Sequence, residues 1–486
     1  MSTPTTTPAA VPLWTQADAI AATGGKAEGP NWSANGVSID SRTLQEGDLF
    51  VAIEGENSDG HKFVEGAFEK GAAAAIVSRP TDGMRSAGPL VVVADTLAAL
   101  NALGRAARRR ARAKIVAVTG SVGKTGTKEA LRFVLSEQGA THASAASYNN
   151  LWGVPLSLAR MPADTRFGIF EVGMNHPGEI TPLSKLVEPF VALITTVEAV
   201  HMAFFNSVEE IADAKAEIFD GLQEGGVAIL NRDNPHYARL RAAAEARNAA
   251  RIISFGEHAQ ADARLDKLAL NDNCSCVSAT ICGQKVTYKL AVPGRHIAMN
   301  SLAVLACVKA LDADLALAAL AMAQLKAPKG RGQRHVVSAP LGDFIVIDES
   351  YNANPASMRA ALAALGQATP ASGGRRIAVM GDMLELGEAS MSMHRELAGD
   401  VDAAGIDLVF ACGPHMRELF KALPSAAQGG YAENSEALAL QLRDAIRPGD
   451  VAMVKGSLGS RMGPLVEMLL GMGDDDGASL RRNRGV

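Results

Sequence analysis

Lys124 stands in the run KIVAVTGSVGKTGTKE (114–129), where its neighbours suit it to hold a phosphate. Ile115 to Val118 have the unbroken apolar character of a buried parallel strand, and Lys128 to Glu137 read as a helix, so the glycines lie at a strand-to-helix turn. Backbone N–H groups and the positive end of the helix dipole converge on an anion at such a turn. The nucleotide-binding loop therefore comprises Gly120, Ser121, Val122, Gly123, Lys124, Thr125, Gly126 and Thr127. Lys124 is placed to reach the β- and γ-phosphates of a nucleotide, and the Thr125 hydroxyl to ligate the accompanying Mg²⁺. A standard loop of this kind has a glycine five residues before Gly123, where Val118 stands, so the loop is a variant.

Glu171 ends the apolar strand FGIFEVG, a position suited to an acidic ligand of Mg²⁺ across from Thr125. Further on lie His201 in TTVEAVHMAFF and Lys215 in IADAKAEIF. Spacing alone leaves these two as a histidine in an apolar neighbourhood and a lysine on a helix.

The elements that must position these groups alternate. Short apolar runs at Ala73 to Val77 and Leu90 to Val93 close a first α/β section, residues 1–94, and a helix is expected from Thr96 to Arg112. Buried strands follow at 168–172, 191–195 and 226–230, separated by helical stretches, in a central section of residues 95–328. The segment LKAPKGRG (325–332) reads as a linker. Beyond it, in residues 329–486, strands at 344–347, 377–380, 408–411 and 451–454 repeat the alternation. The last three run into the glycine turns GDM, CGP and KGS, which should form one rim of a sheet. The fold class is α/β in three domains, with a central parallel sheet of the P-loop type and a C-terminal Rossmann-like sheet. A charged tail after Gly471 is expected to fray.

Apolar residues make up 48% of the chain and charged residues 20%, a balance that excludes long disorder as the main theme. A net charge of −5 gives no general attraction for nucleic acid. The arginines of RAARRRARAK (105–114) are expected on a solvated helix face. No run reaches the roughly 18 apolar residues of a membrane span, and the N-terminus lacks a signal core, so a cytoplasmic protein without membrane insertion is expected. Cys274, Cys276 and Cys282 fit no Cys-x-x-Cys pair and read as strand-hairpin residues rather than a metal site.

Taken in order, DSRTLQEGDLFVAIEGENSDGHKF, the P-loop, YNNLWGVP, FEVGMNHPGEI, AKAEIF, PGRHIAMNSLAVLA, KGRGQR, IDESYNANP, VMGDMLELGE and VKGSLGSR resemble the Mur ligase family. DESYNANP and GDMLELGE look like the member that adds D-alanyl-D-alanine. The third domain shows no Asp-Asn-Pro-Arg, which the member adding the third amino acid would carry. Folylpolyglutamate synthase uses related chemistry, but the DSR and DGH segments speak for a uridine-nucleotide domain. A non-enzymatic nucleotide switch would have no use for His201 and Lys215 together.

The resemblance implies an ATP-dependent ligase acting on UDP-N-acetylmuramoyl-tripeptide and D-alanyl-D-alanine, with two Mg²⁺ ions, as a cytoplasmic monomer of peptidoglycan synthesis. It implies that Lys215 is carbamylated and holds the second Mg²⁺ with His201. It places His296 and Asn300 near the nucleotide, Arg331 near its phosphates, and Asp348 with Asn352 near its ribose or base. Ser41, Arg42, Asp59, Gly60 and His61 match a uridine-nucleotide pocket in the first domain. Asn149 and Asn150 match the pair that contacts the muramoyl group, and His176 the neighbourhood of the reacting carboxylate. Asn354, Lys455, Ser457 and Arg461 are expected at the dipeptide, and the linker near Ala327 to Gly332 as a hinge.

Overall fold

The computed structural model describes residues 11–55, 58–145, 147–200, 202–247 and 249–473; His201 and the tail beyond residue 473 lie outside them. The described residues form three main sheets. The first has the order Lys26–Glu28, Leu90–Val92, Ala74–Val77, Asp48–Val51, Gly36–Ser38, antiparallel only at its first pair.

The second sheet has nine strands, and its middle strand, Lys114–Thr119, runs parallel between Phe167–Glu171 and Val191–Ile194. Helices cover both faces, which is why the strand reads as an unbroken apolar run. Val116 and Val118 point into one core with Leu131 and Val134, while Ile115 and Ala117 point into the other with Val154 and Leu158. The far edge is an antiparallel meander of Ala263–Asn271, Cys274–Ile281 and Gln284–Leu290. Cys274 and Cys276 fall on one of its strands, and all five cysteines are free thiols.

The third sheet has the order Gln333–Ala339, Gly342–Glu349, Val451–Lys455, Arg376–Gly381, Leu408–Cys412, Gln428–Ala432. Only its first pair is antiparallel. The two strands that the pattern did not reveal are its edges. QRHVVSA exposes one polar-rich face, and QGGYA contains two glycines, so neither carries the apolar run of a central strand. The three glycine turns do share a rim, tied together by Asp382: its backbone carbonyl accepts the Ser457 N–H at 3.0 Å, and its carboxylate accepts the Met416 N–H at 2.8 Å.

The helix Thr96–Arg110 does not merely connect the first two sheets. Leu100, Leu103 and Ala107 share one core with Trp14, Val37 and Leu49 on one side and with Leu156 and Ala159 on the other. Hydrogen bonds cross the same seam, from Trp14 Nε1 to the Ala159 carbonyl (2.8 Å) and from Arg160 Nε to the Val37 carbonyl (2.6 Å). The basic stretch corrects the sequence expectation of a solvated face. Arg108 is buried and donates to the Val187 and Glu188 carbonyls at 2.9 and 3.0 Å, at the end of helix Ile180–Val187. Arg110 donates to the Leu13 carbonyl at 2.7 Å and stacks on Trp14. Arg105, Arg109 and Arg112 do remain exposed.

The third sheet hangs on the stretch 325–332, which carries no helix or strand and has Gly330 and Gly332 at positive φ. The buried Asp348 fastens it, accepting the Gly330 N–H at 3.0 Å through its carboxylate and the Gly332 N–H at 2.8 Å through its carbonyl.

Candidate active site

The loop between strand Lys114–Thr119 and helix Lys124–Ser136 makes the floor of a cavity of about 470 Å³ between the second and third sheets. The helix begins four residues earlier than the apolar pattern suggests, because Gly123 takes φ +88° and turns the chain directly into it. No side chain caps this helix, so the N–H groups of its first turn are left for a ligand. The loop is held from behind: Ser121 donates its N–H to the Thr196 carbonyl at 2.9 Å, and the Thr195 hydroxyl donates to the Val122 carbonyl at 2.6 Å. Asn300 lies against Gly123, where an added Cβ would come within 2.6 Å of its Nδ2.

Lys124 Nζ donates to the Gly120 carbonyl at 2.7 Å. Burial lowers its pKa from the ordinary lysine value, opposed by the Glu171 carboxylate and reinforced by Arg331. The Thr125 hydroxyl donates to Glu171 Oε2 at 2.8 Å, and Asn149 Nδ2 donates to the other carboxylate oxygen at 2.7 Å. The Ser147 hydroxyl lies 3.2 Å from the Thr125 hydroxyl and accepts from Arg331 Nη2 at 3.4 Å. A polar chain thus runs from the linker through Ser147 and Thr125 to Glu171.

This donor set suits Mg²⁺, a hard cation that takes one or two protein oxygens and completes its shell with water and phosphate. Thr125, Glu171 and Ser147 supply oxygen only. Among the described residues no three His, Cys, Asp or Glu side chains cluster as a metal cage.

Lys215, on helix Val208–Ala216, is 2% exposed. Burial lowers its pKa well below the ordinary lysine range, and the nearby Lys124 ammonium lowers it further. Its companion in the resemblance, His201, lies outside the described residues.

From the second sheet and its helices the cavity is lined by Ser121 to Thr127, Ser147, Asn149, Glu171, His296 and Asn300. From the third come Glu349, Tyr351, Asn352, Asn354, Lys455 and Ser457, with Arg331 from the linker. Burial lowers the His296 pKa, with Glu349 opposing and Lys455 adding to the shift. Lys455 donates to Glu349 Oε2 at 3.3 Å and to the Asn352 carbonyl at 2.9 Å. Asn354 caps helix Pro355–Gly366 by accepting the Ser357 N–H at 2.8 Å. The Ser457 hydroxyl accepts the Leu384 N–H at 2.9 Å.

Several expected residues stand elsewhere. Asp348 does not line the cavity: its carboxylate is taken by Gly330 and by the Ser350 N–H and hydroxyl. The acidic group facing the cavity is Glu349, one residue on, because successive side chains of strand Gly342–Glu349 point to opposite faces. Arg461 is exposed outside the cavity. Asn150 is exposed too, and its side chain accepts the Trp152 and Gly153 N–H groups at 3.2 and 2.9 Å. His176 is exposed, paired with Glu179 at 2.9 Å and in ring contact with Phe204.

The first-domain residues lie outside this cavity, and Asp59, Gly60 and His61 form a cluster of their own. His61 is buried, with Nδ1 2.7 Å from Asp59 and Nε2 accepting the Ser78 N–H at 2.9 Å, so the proton sits on Nδ1. Asp59 is held below the usual carboxylate range, chiefly by the His61 N–H bond. Gly60 packs so tightly that a Cβ would stand 2.7 Å from the Ile53 carbonyl oxygen. Arg42 forks onto Asp40 at the surface, and the Ser41 carbonyl accepts from Lys70 Nζ at 2.7 Å.

Sequence reasoning passed over Ser147, Glu349 and Tyr351, whose ring stacks under Arg331 at 4.2 Å. Glu349 could have been found from the two-residue period of its strand. Ser147 carried no signal, because its role comes from a loop folding back over Thr125.

Three family models match the chain: "Mur ligase family, catalytic domain" over residues 33–111, "Mur ligase middle domain" over 118–308 and "Mur ligase, glutamate ligase domain" over 330–458. The UDP-N-acetylmuramoyl-tripeptide–D-alanyl-D-alanine ligase of Rickettsia prowazekii is 33% identical over 435 residues, covering 90% of this chain and 95% of the relative. Its namesake from Escherichia coli is 34% identical over 452 residues, covering 92% and 96%. Among solved structures, MurF from Acinetobacter baumannii superposes with a TM-score of 0.82 at 32% identity, over 95% of this chain and all of that one. MurF from Thermotoga maritima in complex with ADP gives 0.74 at 26% identity, over 91% and 98%. The cavity floored by the glycine loop and the full-length matches agree, and the chain belongs to the Mur ligase family.

Proposed function

We propose that this chain is an ATP-dependent ligase that joins D-alanyl-D-alanine to UDP-N-acetylmuramoyl-tripeptide through an acyl phosphate, giving the UDP-linked pentapeptide for peptidoglycan. The observation that carries the reading is the Lys124–Thr125–Glu171 arrangement on an uncapped helix N-terminus, inside a cavity walled by a second sheet. Relatives alike over nearly their whole length bear the name of this reaction.

In this reading the phosphates of ATP lie on the loop N–H groups, and Lys124 swings from the Gly120 carbonyl to the outer phosphates. Thr125 and Glu171 would hold one Mg²⁺, and the modified Lys215 with His201 a second. Bound there, the ions would neutralise phosphate charge and let the tripeptide carboxylate approach the γ-phosphate. The depressed pKa of Lys215 supports the modification, because only a neutral amine attacks CO₂. The new N–C bond forms as the nitrogen loses a proton and a C–O π pair moves onto oxygen, so that a neutral amine becomes an anion with two oxygens. His296, Asn300, Arg331, Glu349 and Asn352 are assigned to the nucleotide.

The carboxylate takes the γ-phosphoryl group, ADP leaves, and the dipeptide amine attacks the acyl carbon to expel phosphate. Asn354, Lys455 and Ser457 are assigned to the dipeptide, and Asn149 to the muramoyl side. The domains extend over residues 1–94, 95–328 and 329–486. The third closes on the stretch 327–332 and excludes water from the acyl phosphate. The ligase works as a cytoplasmic monomer, and no helix among the described residues is long and apolar enough to cross a membrane.

The test is phosphate release by the purified protein with ATP and Mg²⁺, giving the two acceptor substrates singly and together and weighing the product. Release that needs both, with a product heavier by the dipeptide, is expected. Release with a single amino acid instead would make this the preceding ligase of the pathway, and none with any pairing would overturn the ligase reading.

A further inference from the structure

Three tryptophans are present, in contrasting surroundings. Trp14 and Trp32 are 1% and 8% exposed in the core of the first domain, whereas Trp152 leaves 38% of its surface open. Trp152 closes the loop that carries Asn149 on the cavity wall. Asn150 accepts its N–H and that of Gly153, which fixes the backbone where helix Gly153–Ala159 begins.

The indole reaches across the seam to the first domain. A Cβ built on Gly55 would stand 3.0 Å from its Cη2 and 3.4 Å from its Cζ2, so the ring edge is seated directly on that glycine. Gly55 donates its N–H to the Ser58 carbonyl at 2.9 Å within the turn closed by the pairing of Glu54 with Asp59. Asp59 in turn holds His61, and Arg79 bridges Glu54 and Asp59 at 3.1 and 2.9 Å. The indole therefore stands between the first-domain cluster and the cavity. Its other surface remains in water beside Leu151, itself 46% exposed. A rigid aromatic seated at its edge, with 38% of its surface open beside a charged rim, can receive a flat ring.

We propose that Trp152 is a substrate-binding residue whose free face holds a ring of the UDP-sugar part of the substrate at the seam between the first two domains. The proposal rests on the ligase reading above. Uracil would stack on the indole, and a sugar would lay its C–H face there; both are ring-on-indole contacts. Gly55 serves the same site, since a larger side chain would drive the indole off its seat.

Intrinsic fluorescence of the full chain, excited at the tryptophan band, reads this contact, because the other two tryptophans are buried. Titrating wild type with UDP and with UDP-N-acetylmuramoyl-tripeptide should change the emission, and Trp152→Phe should abolish the change. A response to UDP alone identifies the base, and a response only to the complete substrate identifies the sugar; either supports the proposal. In turnover, Trp152→Ala should raise KM for the UDP-linked substrate by about 10-fold while kcat and KM for ATP stay within about threefold, and Trp152→Phe should restore KM. If Trp152→Ala does not fold, Gly55→Val supplies the same readout by displacing the ring. An emission change that persists in Trp152→Phe, an unchanged KM in Trp152→Ala, or wild-type turnover without any emission change would overturn the proposal alone. A wild type with neither turnover nor response would overturn the ligase reading beneath it.

Discussion

The Thr125 hydroxyl and the Glu171 carboxylate meet at 2.8 Å, although 46 residues of chain and a helical crossover separate them. They meet because strands Lys114–Thr119 and Phe167–Glu171 are parallel neighbours in register, Val118 opposite Glu171, so both chains deliver their functional groups at one rim. Glu171→Gln keeps the size of the side chain but removes the charge and one of the two acceptor oxygens. It should raise the Mg²⁺ concentration for half-maximal phosphate release by about 10-fold or more, measured at saturating ATP. An unaltered Mg²⁺ requirement would remove Glu171 from the metal site.

Lys124→Met leaves the helix terminus intact and withdraws the cation from the transferring phosphate. Loss of one preorganised charge contact should lower kcat by about 10²–10³-fold, with Tm held or raised because a partly buried amine is removed. Wild-type turnover would detach the loop from catalysis.

Gly123 combines φ +88° with the close approach of Asn300. Gly123→Ala must bear a left-handed backbone costing roughly 1–2 kcal/mol and displace the Asn300 amide. ATP affinity, measured by equilibrium binding, should fall by about 10-fold or more, with the melting of the first domain unchanged.

Asp348 and Glu349 should separate cleanly. Asp348→Ala leaves the Gly330 N–H unpaired beside the linker and should cost about 1–3 kcal/mol in denaturant unfolding. Glu349→Gln should leave stability near wild type and raise KM for ATP. The reverse pattern would return Asp348 to the nucleotide.

His394 is fully buried and accepts the Met383 N–H at 2.9 Å, so it must stay neutral, and burial lowers its pKa below the ordinary 6.5. Between that lowered value and 6.5 the unfolded chain binds a proton that the folded one does not. Stability is therefore full above pH 6.5 and falls as pH drops through the window, by at most about 1.4 kcal/mol per pH unit from this group. Urea unfolding at stepped pH should show the slope, and His394→Gln should flatten it.

The glycine loop between strand and helix, the acidic residue at a strand end and the alternating α/β plan were legible in the sequence because each rests on local rules. A glycine turn between an apolar strand and a helix offers its N–H groups to an anion, and a run of β-branched residues reads as a buried strand. Residues whose parts depend on partners distant in the chain were not legible. Arg108 looks like a solvated charge until the Val187 and Glu188 carbonyls arrive beneath it. Asp348 and Glu349 are chemically alike, and only the direction of their strand within the sheet decided which faces the cavity and which fastens the linker. Ser147 and Trp152 gained their positions from a loop that folds between two domains. The sequence by itself determined which chemistry could be present; the tertiary structure decided which side chains share a space, because contacts across a sheet or a domain seam depend on register and packing that no local pattern encodes.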